Sequence, residues 1–192
     1  MEYTIREMRK SDWSDVLEIY YQGIQTNMAT FETQCPSYEE WDRVHCQVCR
    51  YVIETDGDVV GWAALSPVSQ RQVYRGVAEL SIYINVDNRG KGLGKALLEH
   101  LTSQSELYNF WTLESLIMEE NLASIALHQS CGFRKVGYRE RMGKDRFGSW
   151  RNIVLMEHRI QSDKAGGCDC DLVKNGGAEP GSIFYTEPEQ EK

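Results

Sequence analysis

The sequence is short of several features that would place it in a specialised class of protein. Its 21 basic residues are outnumbered by 29 acidic ones, and the formal net charge of −8 excludes a global basic surface for nucleic acid. No run approaches the roughly 18 uncharged apolar residues of a membrane span. The first six residues lack the basic and then apolar pattern of a signal peptide, so we expect a cytoplasmic protein.

What the chain does contain is typical of a globular protein with an appended tail. Hydrophobic residues make up 41% of the 192 residues and charged residues 26%. Residues 161–192 hold three basic and seven acidic residues, a net charge of −4, together with five glycines. Such a segment buries too little apolar area to offset its ordering entropy. We therefore predict a folded domain over residues 1–160 and a flexible tail over 161–192.

The six cysteines raise the question of a metal site. Cys46 and Cys49 follow His45 on a predicted helix, and we interpret them as semi-buried thiols. Cys168 and Cys170 in the tail are weak candidates for a soft metal or metalloid, because thiolates favour soft ions. No metal is otherwise expected to be required.

Hydrophobic periodicity and turn signals give a coarse order of elements, β-α-α-β-β-β-α-β-α-β-β. This order predicts an α/β protein with a mixed sheet and helices on both faces. The longest strand-like run covers residues 77–86 and is followed directly by Arg89-Gly90-Lys91-Gly92-Leu93-Gly94 and an amphipathic helix.

This glycine-rich segment predicts a cradle for a pyrophosphate. Glycine allows the backbone to approach an anion closely, and the helix that follows offers free N–H groups and a partial positive charge. Arg89, Lys91 and Lys95 add cations. The segment has neither the Gly-Lys-Ser/Thr of a Walker loop nor the glycine spacing of the dinucleotide fingerprint.

In two motifs the sequence resembles the GNAT acetyltransferase superfamily. Arg89, Gly92 and Gly94 match its coenzyme A motif, Arg/Gln-x-x-Gly-x-Gly/Ala, and residues 121–133 resemble its last helix, from Asn121 onwards. The resemblance implies a GNAT fold with a mixed, mostly antiparallel central sheet, and acetyl-CoA as co-substrate. It also implies that Asn121 contacts the pantetheine arm. His128 stands where many members carry a tyrosine that protonates the departing thiolate.

Most of residues 3–158 is similar to the phosphinothricin N-acetyltransferase family, which includes enzymes for methionine sulfoximine, methionine sulfone and arsinothricin. Segments that carry this resemblance are residues 29–33, 61–64, 66–67, 74–83 and 132–137. The resemblance implies acetyl transfer to the α-amino group of a glutamate-like amino acid by direct attack. It also implies a role in detoxification or resistance, and a homodimer.

The same resemblance assigns candidate residues to the reaction. Glu79 is the candidate general base, and His128 either shares this role or protonates the thiolate. We expect backbone N–H groups on the strand from Tyr83 to Val86 to meet the thioester oxygen. The expected cofactor-binding residues are Ile84, Val86, Arg89, Gly90, Lys91, Gly92, Leu93, Gly94, Lys95 and Asn121.

The amino-acid substrate needs groups for its carboxylate and its oxyanion head. Arg71 aligns with the family's substrate arginine, and Arg75 is a second candidate, because arginine suits bidentate recognition of oxyanions. Tyr74 lies between them, and Phe31 and Tyr83 are expected to line the pocket.

Two alternatives remain open. The enzyme could acetylate another small amine or a protein N-terminus, although the two arginines favour a small amino acid. Alternatively, the chain could be a module that binds acyl-CoA, or a metalloid through its tail cysteines, without turnover.

Overall fold

A computed structural model describes residues 2–160 of the chain. The predicted tail at 161–192, with Cys168 and Cys170, lies outside the described residues. No described helix is both long and apolar enough to cross a membrane.

The described chain folds into seven strands and four α-helices. Three short 3-10 helices, Lys10–Asp12, Gln72–Tyr74 and Val86–Asn88, lie between them. In chain order the elements are β1 (Thr4–Glu7), α1 (Trp13–Gln25), α2 (Tyr38–Val44), β2 (Tyr51–Thr55), β3 (Asp58–Pro67), β4 (Val77–Ile84), α3 (Leu93–Leu107), β5 (Thr112–Met118), α4 (Leu122–Ser130), β6 (Arg134–Lys144) and β7 (Trp150–Arg159).

The predicted order of elements is confirmed, with two local corrections. The sequence pattern predicts a strand from Phe133 to Tyr138, whereas strand β6 continues to Lys144. Helix α2 ends at Val44, so the prediction that Cys46 and Cys49 lie on a helix is wrong. Cys49 is nonetheless buried and Cys46 half-buried, as semi-buried thiols would be.

The strands form one sheet in the order β1-β2-β3-β4-β5-β7-β6. Only β4 and β5 pair in parallel, and the other neighbours are antiparallel. This is the mixed, mostly antiparallel sheet expected from the sequence.

Two hydrophobic clusters cover the two faces of the sheet. On one face, Leu97, Leu98 and Leu101 of α3 pack against the β-strands with almost no exposure. On the other face, α1 and α2 contribute Val16, Ile19 and Trp41, which pack against Trp62. Burial of this apolar area is the main source of stability for the domain.

The parallel strands β4 and β5 separate soon after they begin. Pairing is confined to Val77↔Thr112, Ala78↔Leu113 and Glu79↔Glu114, although β4 continues to Ile84 and β5 to Met118. The sheet therefore contains a gap between these two strands. That gap is the point at which a ligand can reach the middle of the sheet.

Candidate active site

A cavity of about 740 Å³ occupies the gap between β4 and β5. Its walls include residues 79–83 of β4 and 115–118 of β5, together with the segment 28–36 after α1 and part of α4. The size is within the range of roughly 300–1,000 Å³ that is usual for sites of small ligands.

Glu79 lines this cavity near the last paired residues of β4 and β5. Burial raises the pKa of its carboxyl above the usual value, and the neighbouring carboxylate of Glu114 adds to the rise. A carboxylate with a raised pKa is a stronger base, which suits proton removal from an amine near neutral pH.

His128 also lines the cavity, from α4, and it is buried. Its Nδ1 lies 2.8 Å from the carbonyl oxygen of Ser124, and its Nε2 lies 3.0 Å from Oγ of Ser115 on β5. Burial lowers the pKa of the imidazole, so the neutral form is favoured.

Glu79 and His128 lie on opposite faces of the sheet. Glu79 and Tyr83 alternate with Leu80 and Ile82 along β4, and Tyr83 packs on the cluster formed with α1 and α2. Leu80 and Ile82 pack in the cluster that contains α3. His128 belongs to α4, which packs on the α3 side through Ile125 and Leu127. The two candidate catalytic residues are therefore separated by the plane of the sheet.

The glycine-rich segment forms an open turn before α3. Gly90 and Gly92 have φ angles of +74° and +83°, and a Cβ on either would meet no atom within 4 Å. In the described backbone, Ala96 is the first residue of α3 to donate a helical hydrogen bond, to the oxygen of Gly92. The preceding N–H groups are thus available to an anion, and the turn fits a pyrophosphate.

The other residues of the predicted cradle differ in which of their groups are exposed and free to contact a ligand. Leu93 is buried in the core, so only its backbone is available to a ligand. Lys91 and Arg89 are exposed, and Arg89 donates from Nε to the carbonyl oxygen of Ile84 at 3.1 Å. Lys95 is 3.7 Å from Glu99.

The end of β4 presents backbone donors to the gap. Asn85 donates its N–H to Val60 on β3, and N–H groups alternate in direction along an extended strand. The N–H groups of Ile82 and Ile84 therefore point away from β3, towards β5. The N–H of Val86 is not free, since it donates to Oε1 of Gln22 at 3.0 Å.

The segment between α1 and α2 forms another part of the cavity wall. It is held from several elements: the Asn27 side chain donates to Asp145, Asn121 donates to the oxygen of Met28, and the Tyr83 hydroxyl donates to the oxygen of Ala29. These bonds present Phe31, which lines the cavity beside Tyr83. Both aromatic residues therefore line this cavity.

Asn121 has local partners as well as a place in the cavity wall. Its Oδ1 accepts the N–H of Ser124 at 3.2 Å and so caps α4, while its Nδ2 reaches Met28. Asn121 therefore joins the start of α4 to the segment that carries Phe31.

The structure does not bring Arg71, Tyr74 and Arg75 into this cavity. All three are exposed around the 3-10 helix that precedes β4. The Arg71 guanidinium lies over the Tyr74 ring and that of Arg75 over the Trp111 ring, each 5.5 Å from the ring centroid. Tyr74 and Trp111 line a separate, shallower groove at the start of β4 and β5.

Several lining residues escape sequence reasoning. Trp41, His45 and Trp62 form an aromatic wall, in which His45 stacks on Trp41 with ring centroids 4.2 Å apart. Burial lowers the pKa of His45 to about 4, so it is neutral at physiological pH. Arg43 is the basic residue in the cavity wall. The apolar spacing of α2 identifies Trp41 as buried, but no pattern shows that α2 reaches the gap.

Within residues 2–160, no cluster of three or more side chains could hold a metal ion. The chemistry of the described site consists of a raised-pKa carboxylate, a buried neutral imidazole, backbone donors and an anion cradle. This set, on a mixed sheet that opens between two parallel strands, defines an acyltransferase site of the GNAT type.

Comparison with known families identifies the class. The family model of the acetyltransferase (GNAT) family matches residues 5–133, and the chain belongs to this family. The predictions of a GNAT fold and of an acyltransferase are confirmed, and the use of acetyl-CoA is confirmed at the level of the family.

Individual relatives are similar to this chain over most of its length. The chain is 31% identical over 166 residues to a phosphinothricin N-acetyltransferase of Alcaligenes faecalis, covering 83% of each chain. It is 28% identical to an L-methionine sulfoximine/L-methionine sulfone acetyltransferase of Pseudomonas paraeruginosa, with 86% of this chain and 99% of the relative covered. A solved phosphinothricin acetyltransferase of Sinorhizobium meliloti, in complex with acetyl-CoA, has a TM-score of 0.76 at 30% identity and covers 83% of this chain and 89% of its own.

Proposed function

We propose that the chain transfers acetyl from acetyl-CoA to the α-amino group of a glutamate-like amino acid by direct attack. The candidate substrates are phosphinothricin, methionine sulfoximine, methionine sulfone and arsinothricin. The observation that carries this proposal is the cavity in the gap between β4 and β5, which combines Glu79, unpaired N–H groups of β4 and His128. The sequence relatives named above support the amino-acid class.

Glu79 is the general base of this proposal. An α-amino group ordinarily has a pKa of about 8, so most of the substrate arrives as ammonium at neutral pH. The raised pKa of Glu79 suits removal of that proton. Its position on the α1 and α2 face makes this the acceptor side, and His128 on the other face is close to the leaving thiol.

The candidate cofactor residues contact three different parts of acetyl-CoA in this proposal. Backbone N–H groups from Gly90 to Lys95 hold the pyrophosphate, with the exposed cations of Arg89 and Lys91 beside it. The N–H of Ile84 polarises the thioester oxygen, and Asn121 takes the pantetheine arm. The bond between Gln22 and Val86 argues against a direct role for the N–H of Val86.

Recognition of the amino acid by Arg71, Tyr74 and Arg75 stays a prediction, and it depends on the chain forming a dimer. Tyr74 lines the second groove, and none of these three exposed residues lines the cavity. We propose a homodimer, in which such residues complete a site across the interface. Within the described chain, Arg43 is an alternative partner for the substrate carboxylate.

A second candidate substrate class is favoured by the charge of the cavity wall. Three glutamates, Glu32, Glu40 and Glu79, line the cavity with a single arginine, Arg43. An acidic wall attracts a cationic amine more strongly than an anionic phosphinate. Acetylation of another small amine is therefore the competing proposal.

A steady-state kinetic comparison of substrates tests the two proposed substrate classes. Release of the coenzyme A thiol is followed with each of the four amino acids and with small amines that lack a carboxylate. We expect the highest kcat/KM with a glutamate-like amino acid, and an increase in its KM when Arg71 or Arg75 is replaced by alanine. Faster turnover of the amines would replace the first proposal by the second.

The remaining parts of the proposal concern the setting of the reaction. We propose that residues 1–160 form the catalytic domain, in a cytoplasmic enzyme of detoxification or resistance. The end of β7 at Arg159 supports the limit at residue 160, and the GNAT family model matches residues 5–133 within this domain. Removal of residues 161–192 is then expected to leave kcat and KM unchanged.

A further inference from the structure

Ser115 is a polar side chain in an otherwise apolar position of β5. It lies between the buried residues Leu113 and Ile117 on the face that α3 and α4 cover. Its exposure is 2%, yet it lines the cavity. A buried hydroxyl needs a partner, and Ser115 has one in Nε2 of His128 at 3.0 Å.

The second ring nitrogen of His128 fixes the direction of this hydrogen bond. The carbonyl oxygen of Ser124, 2.8 Å from Nδ1, only accepts, so Nδ1 carries the proton. In the neutral ring Nε2 is then a lone pair, and the Ser115 hydroxyl donates to it. In this state His128 has no proton to give at Nε2, but it is oriented to take one from Ser115.

The two residues occupy the face of the sheet opposite Glu79. The unpaired N–H groups of Ile82 and Ile84 point across the gap towards β5, where Ser115 is located. A thioester oxygen at those donors puts the reacting carbon in the gap, whose wall includes Ser115.

We infer that Ser115 is a proton relay between the reacting atoms and His128, an inference that rests on the proposed acetyl transfer. Glu79 first takes one proton from the substrate ammonium and later releases it to solvent. The neutral amine then forms a bond to the thioester carbon, which gives a tetrahedral intermediate with a positively charged nitrogen.

The relay moves the second proton. Ser115 accepts a proton from this nitrogen as its own hydroxyl proton passes to Nε2 of His128. When the C–S bond breaks, the imidazolium returns a proton through Ser115 to the thiolate. The products are the acetylated amine and free coenzyme A, and both side chains recover their starting protonation. Because burial disfavours the imidazolium, its proton is readily returned.

The test compares Ser115→Ala with Ser115→Thr in the full-length protein. Alanine removes the hydroxyl, and we expect kcat to fall by about 10²-fold or more, with KM for acetyl-CoA nearly unchanged. Threonine retains the hydroxyl and is expected to restore most of the rate. Ser130→Ala, at an exposed site in the last turn of α4, is the matched control and is expected to behave as the wild type.

A solvent isotope measurement separates a relay from a structural role. In mixtures of H2O and D2O, kcat of the wild type is expected to curve with the deuterium fraction, because more than one proton moves. The Ser115→Ala variant is expected to lose this curvature. Melting temperatures of all variants are recorded, because Ser115→Ala also leaves the buried Nε2 of His128 without its hydrogen-bond partner.

Three results would overturn the relay. One is a Ser115→Ala variant with kcat within about twofold of the wild type. Another is equal inactivity of the alanine and threonine variants, which would indicate packing. The third is a covalent acetyl group on Ser115, which would make it a nucleophile. If no amino acid turns over, the proposed function fails. The Ser115 variants are then compared with the wild type in the hydrolysis of acetyl-CoA, because hydrolysis also needs a proton at sulfur.

Discussion

Replacement of Gly92 by alanine tests the assignment of the anion cradle. Gly92 precedes α3 with a φ of +83°, and a Cβ placed there meets no protein atom within 4 Å. The cost to the free protein is therefore conformational only, about 1–2 kcal/mol for a left-handed residue with a Cβ. For a domain of this size that corresponds to a melting temperature lower by about 2–8 °C.

The effect on the cofactor is predicted to be larger than the effect on stability. The added methyl group projects into the space where the pyrophosphate must approach the N–H groups of Leu93 and Gly94. Loss of one charge-assisted hydrogen bond is worth about 1.5–3 kcal/mol, which raises KM for acetyl-CoA by about 10- to 100-fold. The assay is thiol release at varied acetyl-CoA, combined with thermal unfolding.

Gly57→Ala is the matched control for this prediction. Gly57 follows Asp56 in the turn between β2 and β3, with a φ of +91° and equally open surroundings. It should lower the melting temperature by a similar amount and leave KM for acetyl-CoA unchanged. Equal KM values for the two variants would refute the cradle, because both carry the same backbone strain.

Three further predictions concern the cavity and its support. Activity requires the Glu79 carboxylate, so it should fall as the pH drops through the raised pKa of Glu79. The Glu114→Gln variant removes a like charge and lowers that pKa, so the acidic limb of its kcat/KM profile should lie at lower pH. An unmoved limb would contradict Glu79 as the base. The Gly143→Ala variant places a Cβ 2.9 Å from Phe31 and should raise KM for the amino acid. The control is Gly137→Ala on the same strand, whose Cβ has 3.7 Å to its nearest neighbour and should leave this KM unchanged. Equal KM values for the two variants would argue against Phe31 as a wall of the pocket. The pKa of Asp145 is lowered to about 2, chiefly by the hydrogen bond from Asn27. The contribution of Asp145 to stability is therefore complete above about pH 4 and is lost as the pH falls towards 2. The stability of Asp145→Asn should lack this pH dependence, and an acid-unfolding profile equal to that of the wild type would refute the prediction.

The order of elements could be predicted from the sequence because each signal is local. The glycine pair before α3 and the alternating strand of β4 depend only on neighbouring residues. The length of β6 escapes the same reasoning because β6 is an edge strand: most of its side chains are exposed, so no apolar alternation marks where it ends. The end of α2 at Val44 is missed for a related reason, since Val48 continues the helical spacing after the helix has stopped.

The candidate site was predictable to the extent that its residues lie in motifs. Glu79, His128 and the cradle belong to segments with a recognisable pattern, and Phe31 and Tyr83 line the same cavity as Glu79 and His128. The partners of these residues come from elsewhere in the chain. Ser115 meets His128 only because β5 and α4 pack together, and Asn27 meets Asp145 across 118 positions of sequence. Neither pair leaves a periodic signal.

The separation of β4 from β5 is what gives the site two chemically different sides. If the strands stayed paired beyond Glu79 and Glu114, the N–H groups of Ile82 and Ile84 would be consumed by the sheet, and no ligand could enter. With the strands apart, those donors face a cavity that is open to both faces of the sheet. In the proposed reaction, Glu79 deprotonates the amine on one face while the thiol departs beside His128 on the other. The proposed proton transfers are divided in the same way: Glu79 takes the ammonium proton on one face, and the Ser115–His128 pair on the other takes the second amine proton and returns it to the sulfur.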